Sequence, residues 1–267
     1  MKRVALTIAG SDPSGGAGIQ ADLKTFHQHG VYGTSAVTLL TAQNTRTVSA
    51  VEFMAPAFVA DQIDAVVSDI GPHAAKTGAL GRSDIIEAVA ARAAGFRFPL
   101  VVDPVMISKH GLPLLADDAV ETLVRRLLPH AALVTPNLAE ASRIAGFPVD
   151  SREAMARAAR VIAELGPQAV LVKGGHLEHD AMDLFWCRGE VRLLEGARIE
   201  SRHTHGTGCT LSAAITARLA RGETMPDAVV GAREYIRAAI ATAPGLGAGI
   251  GPVNHFAECP HGISHGA

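Results

Sequence analysis

The sequence predicts an α/β fold with a mainly parallel central sheet flanked by helices, and three observations carry that prediction. Short, wholly apolar runs recur along the chain; stretches of helical periodicity separate them; several runs stop abruptly at glycine or small polar residues. An apolar run without polar alternation suits a strand covered on both faces, and such strands are joined by helices. At 267 residues and 48% hydrophobic, the chain can bury such a sheet as one large domain. That domain is set at residues 1–254, with a loose tail over 255–267.

Taken in order, residues 4–8 form the first strand, and a glycine-rich turn leads into a helix over about 17–29. Residues 36–40 are a second apolar run. Residues 58–70 read as a helix with Val59, Ile63, Val66 and Val67 on one face. Leu100–Val102 is a buried strand ending at Asp103-Pro104, and residues 131–134 repeat the design before Thr135-Pro136-Asn137. Met155, Ala158, Ala159, Ile162 and Leu165 stripe a helix that Gly166-Pro167 stops. Residues 169–172 form a strand that runs into Lys173-Gly174-Gly175. Residues 184–186 and 191–194 flank Gly189 as a hairpin. Leu211, Ile215 and Leu219 stripe a helix that opens after Gly206-Thr207-Gly208.

Composition narrows the function. With 24 basic and 26 acidic residues there is no basic stripe of the kind that nucleic acid or an anionic membrane attracts. Aromatics make up 4%, too few for a base-stacking platform. Cys187, Cys209 and Cys259 are odd in number and widely spaced, which argues against a disulfide framework and for a reducing cytoplasm. The apolar stretch after Lys2-Arg3 is too short for a signal peptide, and the uncharged stretches after Lys24 and Arg237 are too polar or too rich in glycine for a membrane span.

In open α/β sheets a ligand binds beyond the carboxyl ends of the strands. Here those ends are Gly10-Ser11-Asp12, Asp103-Pro104, Thr135-Pro136-Asn137 and Lys173-Gly174-Gly175. Gly16-Ala17-Gly18-Ile19-Gln20-Ala21 matches a dinucleotide pattern in spelling. The acid that should follow about 20 residues on is missing. Gly10 to Gly15 has P-loop spacing, but Gly16 stands where the lysine should be. The remaining readings are a loop of close backbone packing, or a substrate loop with Asp12 and Asp22 as polar anchors. Thr204-His205-Gly206-Thr207-Gly208-Cys209-Thr210 is sharper. Free backbone N–H groups at a helix start attract anions, and glycines let them converge. The same field would lower the pKa of Cys209, favouring a thiolate base or nucleophile; the other reading is a small buried apolar residue. His205 reads as a packing residue at the helix opening. His255, Cys259, His261 and His265 have spacing that zinc accepts, within a flexible setting.

These segments together resemble the bacterial hydroxymethylpyrimidine/phosphomethylpyrimidine kinases of the ribokinase-like superfamily. The resemblance runs through Ala9-Gly10-Ser11-Asp12-Pro13-Ser14-Gly15-Gly16-Ala17-Gly18-Ile19-Gln20-Ala21-Asp22, Ala42-Gln43-Asn44-Thr45 and Asp103-Pro104-Val105-Met106. It continues through Thr135-Pro136-Asn137-Leu138-Ala139-Glu140, Lys173-Gly174-Gly175-His176, the loop from Thr204 to Ser212, and Gly249-Ile250-Gly251-Pro252-Val253. It implies a ribokinase-like three-layer fold, usually a homodimer. The implied activity transfers phosphate from ATP to 4-amino-5-hydroxymethyl-2-methylpyrimidine and then to its monophosphate, for thiamine synthesis.

The resemblance also assigns roles. The backbone of Gly206, Thr207, Gly208 and Cys209 would form an anion hole, with Cys209 accepting the substrate's hydroxyl proton where many relatives have aspartate. Lys173 would neutralise ATP phosphates. Asn137 and Glu140, three apart on a helix, would handle Mg²⁺ through water, and Asp103 would orient magnesium-bound water or the substrate loop. The same pair also reads as a helix cap with a first-turn acid, and Asp103 as a turn residue. Gln43 would pair with the pyrimidine edge, Asp22 and the Gly10 backbone would complete the pocket, and Val105 would supply an apolar wall. Ala79 departs from the methionine of many relatives and leaves room over the ring. That makes a pyridoxal or pyridoxine kinase the nearest alternative reading. A non-catalytic pyrimidine-binding protein is the alternative from another class, and the full set of Cys209, Lys173, Asn137 and Glu140 argues against it.

Overall fold

A computed structural model describes residues 2–107, 111, 115–175 and 182–259. Its centre is a nine-stranded sheet in the order β3-β2-β1-β4-β5-β6-β7-β8-β9. The strands are β1 (Val4–Ser11), β2 (Tyr32–Gln43), β3 (Val48–Phe53), β4 (Ala74–Thr77), β5 (Leu100–Val102), β6 (Leu133–Val134), β7 (Ala169–Gly174), β8 (Met182–Cys187) and β9 (Glu190–Leu194). From β2 through β1, β4, β5 and β6 to β7 every pairing is parallel. The edges are antiparallel, β3 on β2 and the β8–β9 hairpin on β7. The sheet is therefore mixed but mostly parallel, and the hairpin around Gly189 is the one expected.

The helices are α1 (Gly18–Gln28), α2 (Pro56–Asp69), α3 (Ser83–Ala93), α4 (Asp117–Thr122), α5 (Leu138–Ala145), α6 (Arg152–Glu164), α7 (Thr207–Ala220) and α8 (Met225–Ala241). They cover both faces of the sheet. Leu6, Ile8, Leu100, Val102, Val170 and Val172 pack with Ile63, Ile85, Ile86 and Met155 on one side. Val101, Leu133 and Leu171 pack with Leu211, Ile215 and Val229 on the other, continued by Ala5 against Phe26 and Ala213. Alternate residues of one strand thus enter different cores, and for that reason the strands carry no polar alternation.

Two differences from the sequence reading have clear causes. β4 has the sequence Ala-Ala-Lys-Thr, and a lysine in mid-strand hides a core strand from any apolar pattern. The loose tail set at 255 is packed as far as Cys259. His255 and Ala257 are buried, Tyr235 Oη donates to the His255 carbonyl at 3.0 Å, and Gln28 Nε2 donates to the Ala257 carbonyl at 2.9 Å. Polar residues look loose in sequence; here distant backbone satisfies them. Among the described residues no group of three metal-ligating side chains occurs, and His261 and His265 lie outside them.

His29 caps α1 with its Nδ1–H on the Thr25 carbonyl at 2.9 Å, and its ring meets Tyr235 edge-on at 4.7 Å. Burial pushes His29 down to about 4, and His255 likewise. The unfolded chain takes up a proton near 6.5 that the folded one refuses. Both residues therefore support folding above pH 6.5, and that support is lost as pH falls toward 4. At about 1.4 kcal/mol per pH unit, urea unfolding should show roughly 3 kcal/mol lost per histidine over that range. His29→Leu should flatten the decline.

Candidate active site

The carboxyl ends of β1, β4, β5, β6 and β7 and the loop before α7 bound one cavity of about 1260 Å³. Gly10, Gln43, Ala79 and Val105 line one part of it, Lys173, Asp103, Asn137 and Glu140 another, and Gly206 to Cys209 the wall between sheet and helix. The strand ends singled out in the sequence meet here, as an open α/β sheet requires.

Backbone interlock shapes that wall. Gly206 adopts φ 78°, and a Cβ there would fall 1.7 Å from the Gly16 carbonyl oxygen. Gly18 adopts φ 57°, and its Cβ would fall 2.3 Å from the Gly10 carbonyl oxygen. Only glycine combines left-handed backbone with such approach. The dinucleotide-like spelling is therefore the signature of two loops pressed together. Asp12 holds the first loop: its carboxylate accepts from Ser14 N at 2.8 Å, Ser14 Oγ and Ala17 N at 2.9 Å, and His205 Nε2 at 2.8 Å. Burial works against its charge, but the bonds from His205 and Ser14 outweigh that and hold the carboxyl below its ordinary range. His205, read as a packing residue, is the link between the two loops. Gly206, the N-cap of α7, has no side chain to bond the first-turn N–H groups; Thr207 N donates to the Thr204 carbonyl at 3.4 Å, and the N–H groups of Gly208 and Cys209 suit an anion.

The charged groups gather at that helix start. A Cβ on Gly208 would lie 3.4 Å from Lys173 Nζ and 3.6 Å from Asp103 Oδ2. Lys173 Nζ is 3.1 Å from Asp103 Oδ1, and Thr135 Oγ1 donates to the same oxygen at 3.2 Å. Burial disfavours the Lys173 ammonium, but Asp103 and Glu140 more than offset it and raise its pKa. Asn137 and Glu140 close a capping box: Glu140 N donates to Asn137 Oδ1 at 2.9 Å, and Asn137 N to Glu140 Oε2 at 2.8 Å. The capping alternative is thus realised, and the Glu140 carboxylate at the cavity lining also accepts from Met106 N at 3.4 Å. Burial raises that carboxyl to about 7, against the pull of Lys173.

Two expectations are corrected. Cys209 is not lowered by the helix field: burial pushes its thiol up to about 11, with Lys76 the main opposing influence. A helix terminus acts on the order of 1 kcal/mol, and the loss of water around the sulfur outweighs it. Asp22 is absent from the cavity lining. It is 0% exposed, bonded by both oxygens to Lys76 Nζ at 2.8 Å and by Thr7 Oγ1 at 2.6 Å. With the carboxylate that close, Lys76 stays an ammonium despite burial. Sequence reasoning missed this pair because its members lie 54 residues apart.

It also missed the far end of the cavity, where Ile236, Arg237 and Ile240 of α8 face Ile199. Arg233 Nε donates to Asp183 Oδ2 at 2.7 Å there. The spacing of 233, 236, 237 and 240 is a helical stripe, a signal present in the sequence but unassigned.

A buried ion pair that loses one member leaves an uncompensated charge. Lys76→Met should cost about 3–5 kcal/mol in urea unfolding, and the double change with Asp22→Leu should recover most of it.

The geometry can be set beside known proteins. The model of the phosphomethylpyrimidine kinase family matches residues 12–254. A hydroxymethylpyrimidine/phosphomethylpyrimidine kinase of Rhizobium meliloti is 52% identical over 260 residues, 96% of this chain and 98% of the relative. The thiamine biosynthesis bifunctional protein ThiED of Geobacter sulfurreducens is 50% identical over 94% of this chain, which spans 52% of that longer protein. In three dimensions, an ADP complex of Bacillus subtilis pyridoxal kinase superposes with a TM-score of 0.90 at 39% identity, covering 96% of this chain and 98% of that one. The Gly16–Gly206 contact, the Lys173 strand end and the Asn137–Glu140 cap all fall inside the span that the family model matches, and the chain belongs to the phosphomethylpyrimidine kinase family.

Proposed function

We propose that the chain transfers the γ-phosphoryl group of ATP to 4-amino-5-hydroxymethyl-2-methylpyrimidine, and then a second one to the monophosphate, in thiamine synthesis. One observation carries this reading: a single cavity joins an amide-bearing slot at Gln43 to an uncapped helix start beside Lys173. Phosphoryl transfer needs positioning and charge stabilisation more than covalent help. Gln43 reads the ring edge and Val105 packs the ring. Asp22 acts from behind the wall, through Lys76, on the field at Cys209. The N–H groups of Gly206 to Cys209 hold the transferring group and Lys173 the phosphate charge, while the far end by Ile236 and Ile240 takes the nucleotide.

Mg²⁺ belongs to the same proposal. The donors are hard oxygens, which suit it. Glu140 already accepts from Asn137 N, and Asp103 from Thr135 and Lys173. The residues therefore fit a hydrated ion held through water by Asp103, Asn137 and Glu140. When bound with ATP it supplies charge neutralisation on the phosphates. A homodimer and a cytoplasmic setting complete the reading; among the described residues no helix is long and apolar enough to cross a membrane.

In the first step the substrate hydroxyl oxygen bonds to the γ-phosphorus, the bond to the β-phosphate bridging oxygen breaks, and the proton passes to Cys209 as thiolate. In the second step the nucleophile is a phosphate oxygen, already anionic. A thiol near 11 is ionised in roughly one molecule in ten thousand at pH 7, and tenfold more per pH unit. The rate of the first step should therefore climb between pH 7 and 9 and that of the second should not. Cys209→Ala should remove the climb and slow the first step more. Equal losses in both steps, measured by single-turnover mass analysis, would exclude the base role.

The second reading, a pyridoxal kinase, is favoured by the superposition on the Bacillus protein and by the small Ala79 in the slot. Coupled ATP turnover with each substrate separates them. A pyrimidine diphosphate as the main product is the expected outcome. Preferential phosphorylation of pyridoxal moves the substrate, and turnover of neither rejects both.

A further inference from the structure

Along the wall of the cavity beside Gln43 runs a chain of polar groups that the phosphoryl transfer does not use. His205 Nε2 is 2.8 Å from Asp12 Oδ2. Gln43 Nε2 lies 3.2 Å from the same ring nitrogen, and Gln43 Oε1 lies 3.3 Å from Thr41 Oγ1. Thr41 Oγ1 in turn donates to the Ser11 carbonyl at 2.9 Å.

Donor and acceptor accounting determines the protons in this chain. The Asp12 carboxylate accepts two backbone N–H groups and a hydroxyl besides the ring, and a carboxylate only accepts. His205 Nε2 therefore carries a hydrogen and has no lone pair left. With Gln43 Nε2 toward it, an N–H would meet an N–H. On the other side, the single hydrogen of Thr41 is committed to Ser11, so its hydroxyl has only lone pairs to offer a carbonyl oxygen. A half-turn of the Gln43 amide removes both conflicts at once. Oε1 then accepts a share of the His205 N–H, and Nε2 donates one N–H to Thr41. The two constraints come from opposite ends and agree, and the terminal atoms of an amide are told apart by just such partners.

We propose that Asp12, His205 and Thr41 are positioning residues that lock the Gln43 amide in this orientation, leaving one N–H and one carbonyl lone pair for the ligand. The inference rests on the pyrimidine-kinase reading. An aminopyrimidine edge sets an amino donor beside a ring-nitrogen acceptor, the complement of that remaining pair. A pyridoxal ring has no such amino donor. An amide free to turn would read both patterns; a locked one favours the first, and no side chain needs ordering when the substrate arrives. The same link also explains why the substrate loop and the anion loop are joined by a hydrogen bond as well as by backbone contact.

The test is a double-mutant cycle on steady-state kinetics with hydroxymethylpyrimidine, pyridoxal and ATP. His205→Ala and Thr41→Val should each raise the pyrimidine KM about tenfold, as the loss of one oriented hydrogen bond does, with the ATP KM within about twofold. Pyridoxal turnover should change less. In a Gln43→Ala background Thr41→Val should have no further effect, because its action runs through that amide, while His205→Ala should keep only the part that comes from its hold on the anion loop. A Thr41→Val loss that multiplies in the Gln43→Ala background, or that raises both KM values alike, would show a merely structural role and overturn the inference. Thr41 lies half-buried on β2, so Thr41→Val decides the matter even where His205→Ala unfolds. Wild-type turnover of neither ring would overturn the functional reading and this inference with it; normal wild-type turnover with a multiplicative cycle overturns this inference alone.

Discussion

The Gly16 carbonyl and the Gly206 α-carbon approach so closely that a single added methyl would fall 1.7 Å from the oxygen. The rest of the site depends on that approach. It brings the loop after β1 against the start of α7, although 190 residues separate them in sequence (206 − 16). It leaves α7 capped by a glycine, with no side chain bonded to its first N–H groups. The Asp12–His205 bond then holds the two loops in register, and Thr45 completes the rim: its carbonyl accepts from Ile250 N at 2.8 Å and its hydroxyl from Gly249 N at 3.1 Å. The separate glycine motifs of the sequence are thus parts of one joint.

Burial, more than the helix field, sets the electrostatics around that joint. Lys76, Asp22, Asp103, Glu140, Lys173 and Cys209 share a small region in which each group is partly deprived of water. Ammonium groups keep their charge because carboxylates stand within about 3 Å. Burial pushes the Cys209 thiol up despite Lys76 and a backbone bond from Gly18, and burial raises Glu140 to about 7. In this region the ammonium charges of Lys76 and Lys173 are matched by carboxylates, so Lys173 stands beside the positive end of α7 without an exposed basic surface, in keeping with the balanced overall charge. Such a site suits a substrate that brings several negative charges of its own.

The sheet delivers these groups because its strands end together. Parallel pairing from β2 to β7 sets every βα loop of that stretch on one edge, and the antiparallel hairpin β8–β9 contributes Asp183 from the far side. Asp183 accepts from Gly174 N at 3.0 Å and from Arg233, tying the β7 end to α8. The two ends of the cavity are therefore braced by different elements that meet at Lys173.

Local physics made much of this legible from sequence alone. Wholly apolar runs such as Leu100–Val102 announce strands buried on both faces, helical stripes such as Met155 to Ile162 announce their covers, and glycines at 16, 18, 206 and 208 announce backbone in close contact. Those signals depend on neighbours a few residues away. The fate of a charge depends on neighbours far away. That Lys76 sits in a core strand, that Asp22 turns from the cavity to pair with it, that burial pushes the Cys209 thiol up, and that His205 joins two loops rather than merely packs all follow from partners 54 to 193 residues distant. Periodicity records which side of an element meets the core. Only the folded chain decides which buried polar atom meets which, because hydrogen bonds and ion pairs are made at about 3 Å and cost free energy when left unmade.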